Sequence, residues 1–311
     1  MQYYTLVNGT AIPVIGMGTG TLNIGYRNPK YFAKRVLTET RQKIKGEYSE
    51  ENNYTASYEL RKLKNFKKSI EQSSSLGYSL YDTAYSYNNC DTMGSVFSKY
   101  NKEDLFIISK CSNLAQRNGT VRKEFENTLR DLQTDCVDLY LIHWPQTGTF
   151  IDTWKVMEEF YETGKARAIG VSNFHVHHIE EIRNKCHIMP MADEVECHPL
   201  LQQKELREYC KNNSIQFIAH TSTGKMRSNI VNTILKDIAD SHGKTIAQVI
   251  LRWHYQLGDV SICNTLDSSH MIENLNIFDF DLSDEEMENI EKMDANFRIW
   301  PNPDNCDFGK L

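Results

Sequence analysis

The sequence predicts an α/β fold: a closed (β/α)8 barrel with an N-terminal β-hairpin and an insertion after strand 1. Three observations carry this. Eight short apolar runs of strand length alternate with stretches of helical periodicity, which argues for parallel βα units. Nearly every strand run stops on a polar residue: Thr19, Asp82, Lys110, His143, Ser172 with Asn173, Glu194, His220 with Thr221, and Asn264 with Thr265. The C-terminal strand ends of such a barrel share the face where chemistry is done. The competing architecture, a doubly wound open sheet, normally carries a GxGxxG phosphate loop after its first strand. Gly16-Met17-Gly18-Thr19-Gly20 lacks that spacing, and no helix directly follows it.

Taken in order, Tyr4 to Pro13 reads as a hairpin, with Asn8-Gly9 predicting a type I′ turn. Strands are expected at Val14–Gly18, Ser79–Asp82, Leu105–Lys110, Cys136–His143, Ala166–Ser172, Met191–Glu196, Gln216–Thr221 and Val260–Asn264. Between them, helices are expected at Gly119–Leu132, Trp154–Thr163, His175–Lys185, Lys204–Asn212, Ile230–His242 and Ile246–Tyr255. The first shows the pattern well, with Val121, Phe125, Leu129 and Leu132 on one face.

Residues 25–68 read as an irregular basic insertion that runs into a helix at Tyr58–Ser73. From Arg27 to Lys68 there are twelve Lys and Arg against five Glu and no Asp, in a chain whose formal net charge is −6. Two readings stay open. One is a solvated loop and a basic helix face. The other is a lid or docking surface for an anionic substrate or acidic partner.

Composition bounds the function. At 311 residues, 40% hydrophobic and 24% charged, the chain suits a globular protein of one large domain or two small ones, and the eight-unit barrel pattern makes it one domain spanning residues 1–311. No apolar run is long enough for a bilayer, so no membrane association is expected. The opening MQYYTLVNGT has no basic start or apolar core and reads as no signal peptide. Eight Cys form no CxxC pair, which suits reduced thiols and a cytoplasmic location. The acidic balance argues against nucleic acid as a partner. A monomer is the favoured state.

Asp82 closes a strand, and Tyr87 follows five residues later, which puts a carboxylate and a phenol near one pocket. An Asp there is often only a cap or turn former. The polar ends at Lys110, His143 and Ser172-Asn173 favour a shared site. The segments DTAxxY at Asp82–Tyr87, FIISK ending at Lys110, DLYLIHWP at Asp138–Pro145 and GKARAIGVSNF at Gly164–Phe174 continue the pattern. ECHP at Glu196–Pro199, AQVILRW at Ala247–Trp253 and ENLNIFDFDLSDEEM at Glu273–Met287 complete it. In this order, over nearly the whole chain, they resemble the aldo-keto reductases.

That resemblance implies a barrel enzyme that uses a nicotinamide cofactor, NADPH or NADH, to reduce an aldehyde or ketone. It places a catalytic tetrad on Asp82, Tyr87, Lys110 and His143. Tyr87 would protonate the carbonyl oxygen, with Lys110 lowering its pKa from about 10. Asp82 would hold Lys110, and His143 would orient the carbonyl. The cofactor would meet Thr19, Ser172, Asn173, Glu194, His220, Thr221, Asn264, Thr265, His270, Glu273 and Asn274. Glu194 stands where the family usually has Gln, and His220 stands where it usually stacks Tyr. Members preferring NADPH carry Lys at the Asn264 position and usually Arg at the His270 position. Losing both cations weakens the grip on the 2′-phosphate and makes NADH plausible. Trp144 and Trp300 would line the substrate pocket, and Gly20 leaves open a wall often built by Trp. The segment Phe297–Pro301 is expected to fold over the mouth.

The alternative is a catalytically weak nucleotide-sensing or partner-binding subunit on the same barrel, motivated by Glu194, His220, Asn264 and the insertion. No metal is expected. His175-Val176-His177-His178 has no Cys or carboxylate partner at ligand spacing in the sequence.

Overall fold

A computed structural model describes residues 2–20, 29–46 and 55–306. A hairpin, β1 (Tyr3–Thr5) and β2 (Ala11–Pro13), precedes the barrel. The barrel strands are β3 (Ile15–Gly18), β4 (Leu80–Asp82), β5 (Phe106–Cys111), β6 (Val137–Ile142), β7 (Ala166–Ser172), β8 (Ala192–Glu196), β9 (Gln216–His220) and β10 (Val260–Cys263). All eight pair in parallel, and β10 closes the ring between β9 and β3. The eight expected strands are therefore the eight staves, each within about a residue or two of its expected ends.

The hairpin turn differs from expectation. Only Gly9 has a positive φ, at 88°, and Asn8 does not. Leu6 O accepts from Gly9 N–H at 2.8 Å and Thr10 O from Leu6 N–H at 2.9 Å. This is the longer loop with a left-handed glycine bulge. Asn8 instead spends its side chain on Thr10 N–H and on the Arg167 carbonyl.

The insertion is more ordered than its composition suggested. It contains α1 (Pro29–Lys45), and α2 (Ala56–Ser75) follows. Residues 25–28 and 47–54 of the expected insertion lie outside the described residues. Phe66 and Ile70 of α2 are buried in the core, so α2 serves as the ring helix between β3 and β4. Glu39 ties α1 to the start of α2, accepting from Ser57 N–H at 2.8 Å and Ser57 Oγ at 2.6 Å. A carboxylate suits a helix N-terminus. Helix α1 was hidden from a periodicity reading because it exposes its own apolar side chains Val36, Leu37 and Ile44.

Ring helices follow the strands. They include α3 (Cys90–Phe97), α5 (Val121–Leu132), α6 (Phe150–Glu162), α7 (Val176–Lys185), α8 (Lys204–Asn212), α10 (Ile246–Leu257) and α11 (Ser268–Leu275). A short α4 (Asn113–Asn118), a helix α9 (Thr233–His242) and a late α12 (Asp284–Glu291) complete the described set. Their ends obey local chemistry. Thr245 with Gln248, and Ser283 with Glu286, form capping boxes at α10 and α12. The shell between sheet and helices is aromatic: Phe125 stacks on Phe160 at 4.1 Å between ring centroids, with Tyr140 beside them.

Gly94 lets α3 lie against α5. A Cβ there would stand 2.3 Å from the Asp131 carbonyl oxygen, which is backbone and cannot turn aside. We predict that Gly94→Ala destabilises the fold by about 1–3 kcal/mol, the usual cost of overpacking. A urea midpoint equal to wild type would contradict this.

Candidate active site

The barrel order brings together side chains far apart in sequence. Asp82 ends β4, Lys110 lies near the end of β5, and His143 directly follows β6. Tyr87 sits in a 3-10 turn, Tyr85–Tyr87, after β4. Lys110 donates to the Asp82 carboxylate and, at 3.3 Å, to the Thr83 carbonyl. Its Nζ stands 5.7 Å from the centre of the Tyr87 ring. The rings of Tyr87 and His143 meet edge-on at 5.8 Å. His143 Nδ1 lies 3.5 Å from Ser86 Oγ. The four residues expected as a tetrad therefore form one cluster.

Glu194 belongs to the same cluster. Its Oε2 lies 3.2 Å from Lys110 Nζ, reaching it from β8. Asp82, Lys110 and Glu194 are 4%, 1% and 2% exposed. Two buried carboxyls thus share one ammonium, and desolvation disfavours the second negative charge. Burial pushes both carboxyls up. Asp82 receives the direct hydrogen bond from Lys110, so the surplus proton belongs on Glu194, which burial and then Asp82 raise to about 8. This changes what Glu194 can do. A carboxylate only accepts, whereas a neutral acid donates and accepts as the family's amide would. The sequence signal for this sharing was only the expectation that Glu194 closes its strand run, whereas it stands in the middle of β8.

The same electrostatics reset Tyr87. Burial raises its pKa. Lys110 pulls it down, as the sequence suggested, but Asp82 and Glu194 push it back up, and the net shift is upward. Burial works against the Lys110 ammonium, yet Asp82 and Glu194 more than offset it and keep it charged. Burial, then Lys110 and His220, holds His143 well below the usual histidine range, so its ring is neutral. His220 is likewise neutral, lowered to about 3 mainly by burial.

A second group adjoins. Ser172 Oγ donates to the Glu194 carbonyl at 2.8 Å, and Asn173 Nδ2 donates to the His143 carbonyl at 3.0 Å. His220 Nε2 lies 3.0 Å from Asn173 Oδ1. Asn173 and Thr221 both leave their strands with positive φ, 61° and 54°. For a β-branched Thr this is a strained conformation, of the kind kept at functional positions. Thr19 packs against the first group, donating its hydroxyl to the Asp82 carbonyl at 2.9 Å. Asn89, which sequence reasoning missed, locks this corner by donating to Thr19 and accepting from Thr83 Oγ1 at 2.7 Å.

The remaining expected residues divide. Thr265 Oγ1 and His270 Nδ1 lie 3.5 Å apart at the exposed start of α11. Asn264 is exposed just past β10, and Glu273 is half-buried in α11. Asn274 is buried, and its side chain bonds the Tyr78 hydroxyl. Trp144 is buried, whereas Trp300 is 40% exposed. Trp300 Nε1 donates to Thr221 Oγ1 at 2.9 Å, and Lys225 Nζ sits 4.2 Å over its ring. The segment carrying Trp300 is held by a residue given no role from sequence: Glu196 accepts from Ile299 N–H at 2.6 Å and Trp300 N–H at 2.9 Å. A side chain at Gly20 would press the Tyr87 ring, since its Cβ would be 3.0 Å from Cζ.

Comparison with known proteins agrees with this geometry. The Aldo/keto reductase family model matches residues 64–295. The chain is 44% identical to glyoxal reductase of Bacillus subtilis over 244 residues, 78% of this chain and 88% of that one. It is 40% identical to the 9,11-endoperoxide prostaglandin H2 reductase of Trypanosoma cruzi, over 74% of this chain and 82% of that one. Among solved structures, an aldo-keto reductase from a Medee basin deep-sea metagenome library superposes with a TM-score of 0.80. It shares 30% identity and covers 98% of this chain and 100% of its own. The strand order, the clustered strand ends and these likenesses converge: the chain belongs to the aldo-keto reductase family and is an oxidoreductase acting on carbonyl compounds with a nicotinamide cofactor.

Proposed function

We propose that this protein reduces small aldehydes, with 1,2-dicarbonyls of the glyoxal type as the first class to test, and that Tyr87 is the proton donor. The observation that carries the reading is the Tyr87–Lys110–His143 cluster with its buried carboxyl pair. The substrate class is supported by the likeness to glyoxal reductase.

The residues fit a nicotinamide dinucleotide. A carboxamide needs both donors and acceptors, and Ser172, Asn173, His220 and protonated Glu194 offer both beside Lys110. Thr19, Thr221, Asn264, Thr265, His270, Glu273 and Asn274 would serve the rest of the cofactor, Asn274 through the Tyr78-bonded wall rather than an exposed side chain. When bound, the cofactor supplies the hydride that reduces the carbonyl carbon. The oxygen then carries negative charge and takes the Tyr87 proton, leaving alcohol and a phenolate that Lys110 stabilises. A raised pKa keeps Tyr87 protonated at rest, which a donor requires. The neutral His143, whose Nδ1 lies 3.5 Å from Ser86 Oγ, would donate from Nε2 to the carbonyl oxygen in the tautomer that carries its proton there. Trp144 and Trp300 would bound the pocket.

Tyr87→Phe should lower kcat/KM for glyoxal-type aldehydes by about 10²–10⁴, the range for losing a general acid. Cofactor affinity, read by fluorescence titration, should change little. Turnover retained in the variant would remove Tyr87 from the proposed role. Absence of any carbonyl reduction by the wild type would revive the nucleotide-sensing alternative.

Glu194 generates a pH prediction. Its folded pKa is raised from 4.5 to about 8. The folded state therefore holds a proton that the unfolded state releases between those values, and stability falls as pH rises through that window. Glu194→Gln should lessen the decline, to which the other raised buried carboxyls also contribute, and flatten an alkaline fall in kcat/KM near pH 8. Parallel pH profiles of Tm for both proteins would overturn the assignment of the proton to Glu194.

For the nucleotide, we infer that NADH competes with NADPH. Neither Asn264 nor His270 is a Lys or Arg, so neither position supplies a fixed positive charge. A charge-assisted hydrogen bond is worth about 1.5–3 kcal/mol, so Asn264→Lys should improve NADPH relative to NADH about tenfold or more. Wild-type binding of NADPH already a hundredfold tighter than NADH, by calorimetry, would mean another group grips the 2′-phosphate.

A further inference from the structure

We propose that His175, His177, His178 and Asp304 form a binding site for a divalent transition-metal ion, with zinc the best match. The sequence shows three imidazoles within four residues, and the carboxylates that follow, Glu180 and Glu181, are not part of the ligand cluster. The fold supplies the carboxylate from the segment that closes over the barrel. Asp304 Oδ1 lies 2.9 Å from His175 Nδ1, 3.3 Å from His177 Nε2 and 3.8 Å from His178 Nε2. The four ligand atoms all fall within 4.8 Å of one another.

Those distances have the scale of a coordination polyhedron. A tetrahedral zinc ion with ligands about 2.1 Å away sets its ligand atoms about 3.4 Å apart. The three edges from Asp304 bracket that length, and the nitrogen–nitrogen edges lie within 4.8 Å, so the side chains stand close enough to close on an ion by turning their rings. The donor set, three imidazoles and one carboxylate, suits zinc, cobalt or nickel better than magnesium or calcium, which prefer oxygen.

The nitrogens are not equally free. Among the described residues, His177 makes no hydrogen bond that would compete with a metal at Nε2, and it is exposed. His178 Nδ1 accepts from His175 N–H at 3.0 Å, and Arg298 donates to His175 Nε2 at 3.1 Å. Ligation through His178 Nε2 moves that ring's proton to Nδ1 and gives up the first bond. Ligation through His175 Nδ1 moves its proton to Nε2 and turns Arg298 away. With the 2.9 Å bond between His175 Nδ1 and Asp304 Oδ1, three hydrogen bonds are exchanged for coordination bonds. The N-terminus of α7 and Arg298 both oppose a cation, while Glu180 and Glu181, lining the same open groove, favour it.

None of the four ligands belongs to the proposed catalytic cluster, so the proposal stands apart from the reading of the reaction. Three ligands sit on the first turn of α7 and its cap. The fourth sits four residues after Trp300 and two before Cys306, whose carbonyl accepts from Gln146 Nε2 at 2.8 Å. A bound ion would staple this segment to the barrel mouth.

The test is cobalt(II) titration of the chelator-treated full chain, read by visible absorption, with calorimetry using zinc chloride. The wild type should bind one equivalent with the intense visible bands of tetrahedral cobalt. His177→Asn and Asp304→Asn, both at exposed positions, should each weaken binding at least about tenfold, with Tm in chelator unchanged. Two results overturn the proposal: no stoichiometric binding at micromolar metal, or binding by both variants as tight as wild type, which would place the ion on thiols elsewhere.

Discussion

The site depends on one buried ammonium. Lys110 is 1% exposed inside a barrel of apolar strands, where an unpaired charge would cost many kcal/mol. The barrel meets that demand from two directions, Asp82 on β4 and Glu194 on β8. Replacing such a cluster with apolar residues would usually not weaken a fold, so stability alone does not account for it. Its effect is electrostatic. It fixes a positive charge beneath the Tyr87 ring, and the second carboxyl makes the cluster responsive to pH.

The neighbouring choices follow from that charge. Burial holds His143 neutral, and the nearby Lys110 adds to the effect. Tyr87 is drawn down by Lys110 and pushed up by burial and two carboxyls, so it rests as a phenol. A tyrosine poised as an acid needs a stabilised conjugate base without being ionised beforehand, and these opposed influences supply both conditions. Asn89, Thr19 and Thr83 then hold the β4 exit in place through bonds that never touch the ammonium.

Much of this was legible in the sequence because a parallel barrel converts local information into global placement. Each strand carries its own apolar run, and its last residue lands on the shared face whatever the details of packing. That is why Asp82, Lys110 and His143 were identifiable before any coordinates. Glu194 was legible as a position but not as a partner, because the β8-to-β5 meeting is set by barrel closure. The Asn8-Gly9 turn was misjudged because Asn8 bonds the Arg167 carbonyl, a contact 159 residues away. Helix α1 was missed because, among the described residues, the ties that hold it to α2 are polar, Glu39 to Ser57 and Arg35 to Glu59, and its apolar Val36, Leu37 and Ile44 are exposed. Asp304 and Glu196 illustrate the same limit at the mouth: their partners lie more than a hundred residues away in sequence.

The closing segment joins these themes. Residues 295–306 lack regular structure apart from one 3-10 turn, Pro303–Asn305, and a helix or sheet ladder does not hold them. Their order comes from bonds to groups already fixed by the barrel. Leu200 accepts from Ala295 and Phe297, Glu196 from Ile299 and Trp300, and Asp304 meets the histidines of α7. Burial works to raise the Glu196 pKa, but His198 and the Ile299 and Trp300 amides outweigh it and hold it below the usual carboxylate range. Glu196 therefore stays charged and keeps accepting at neutral pH. A segment held at a few polar points can be released without unfolding the barrel, since each point is lost separately. Trp300 rides on that segment over Thr221, at the exit of β9. The aromatic wall of the proposed pocket is thus mounted on the least regular part of the described chain, and Asp82, Lys110 and Glu194 on the most regular.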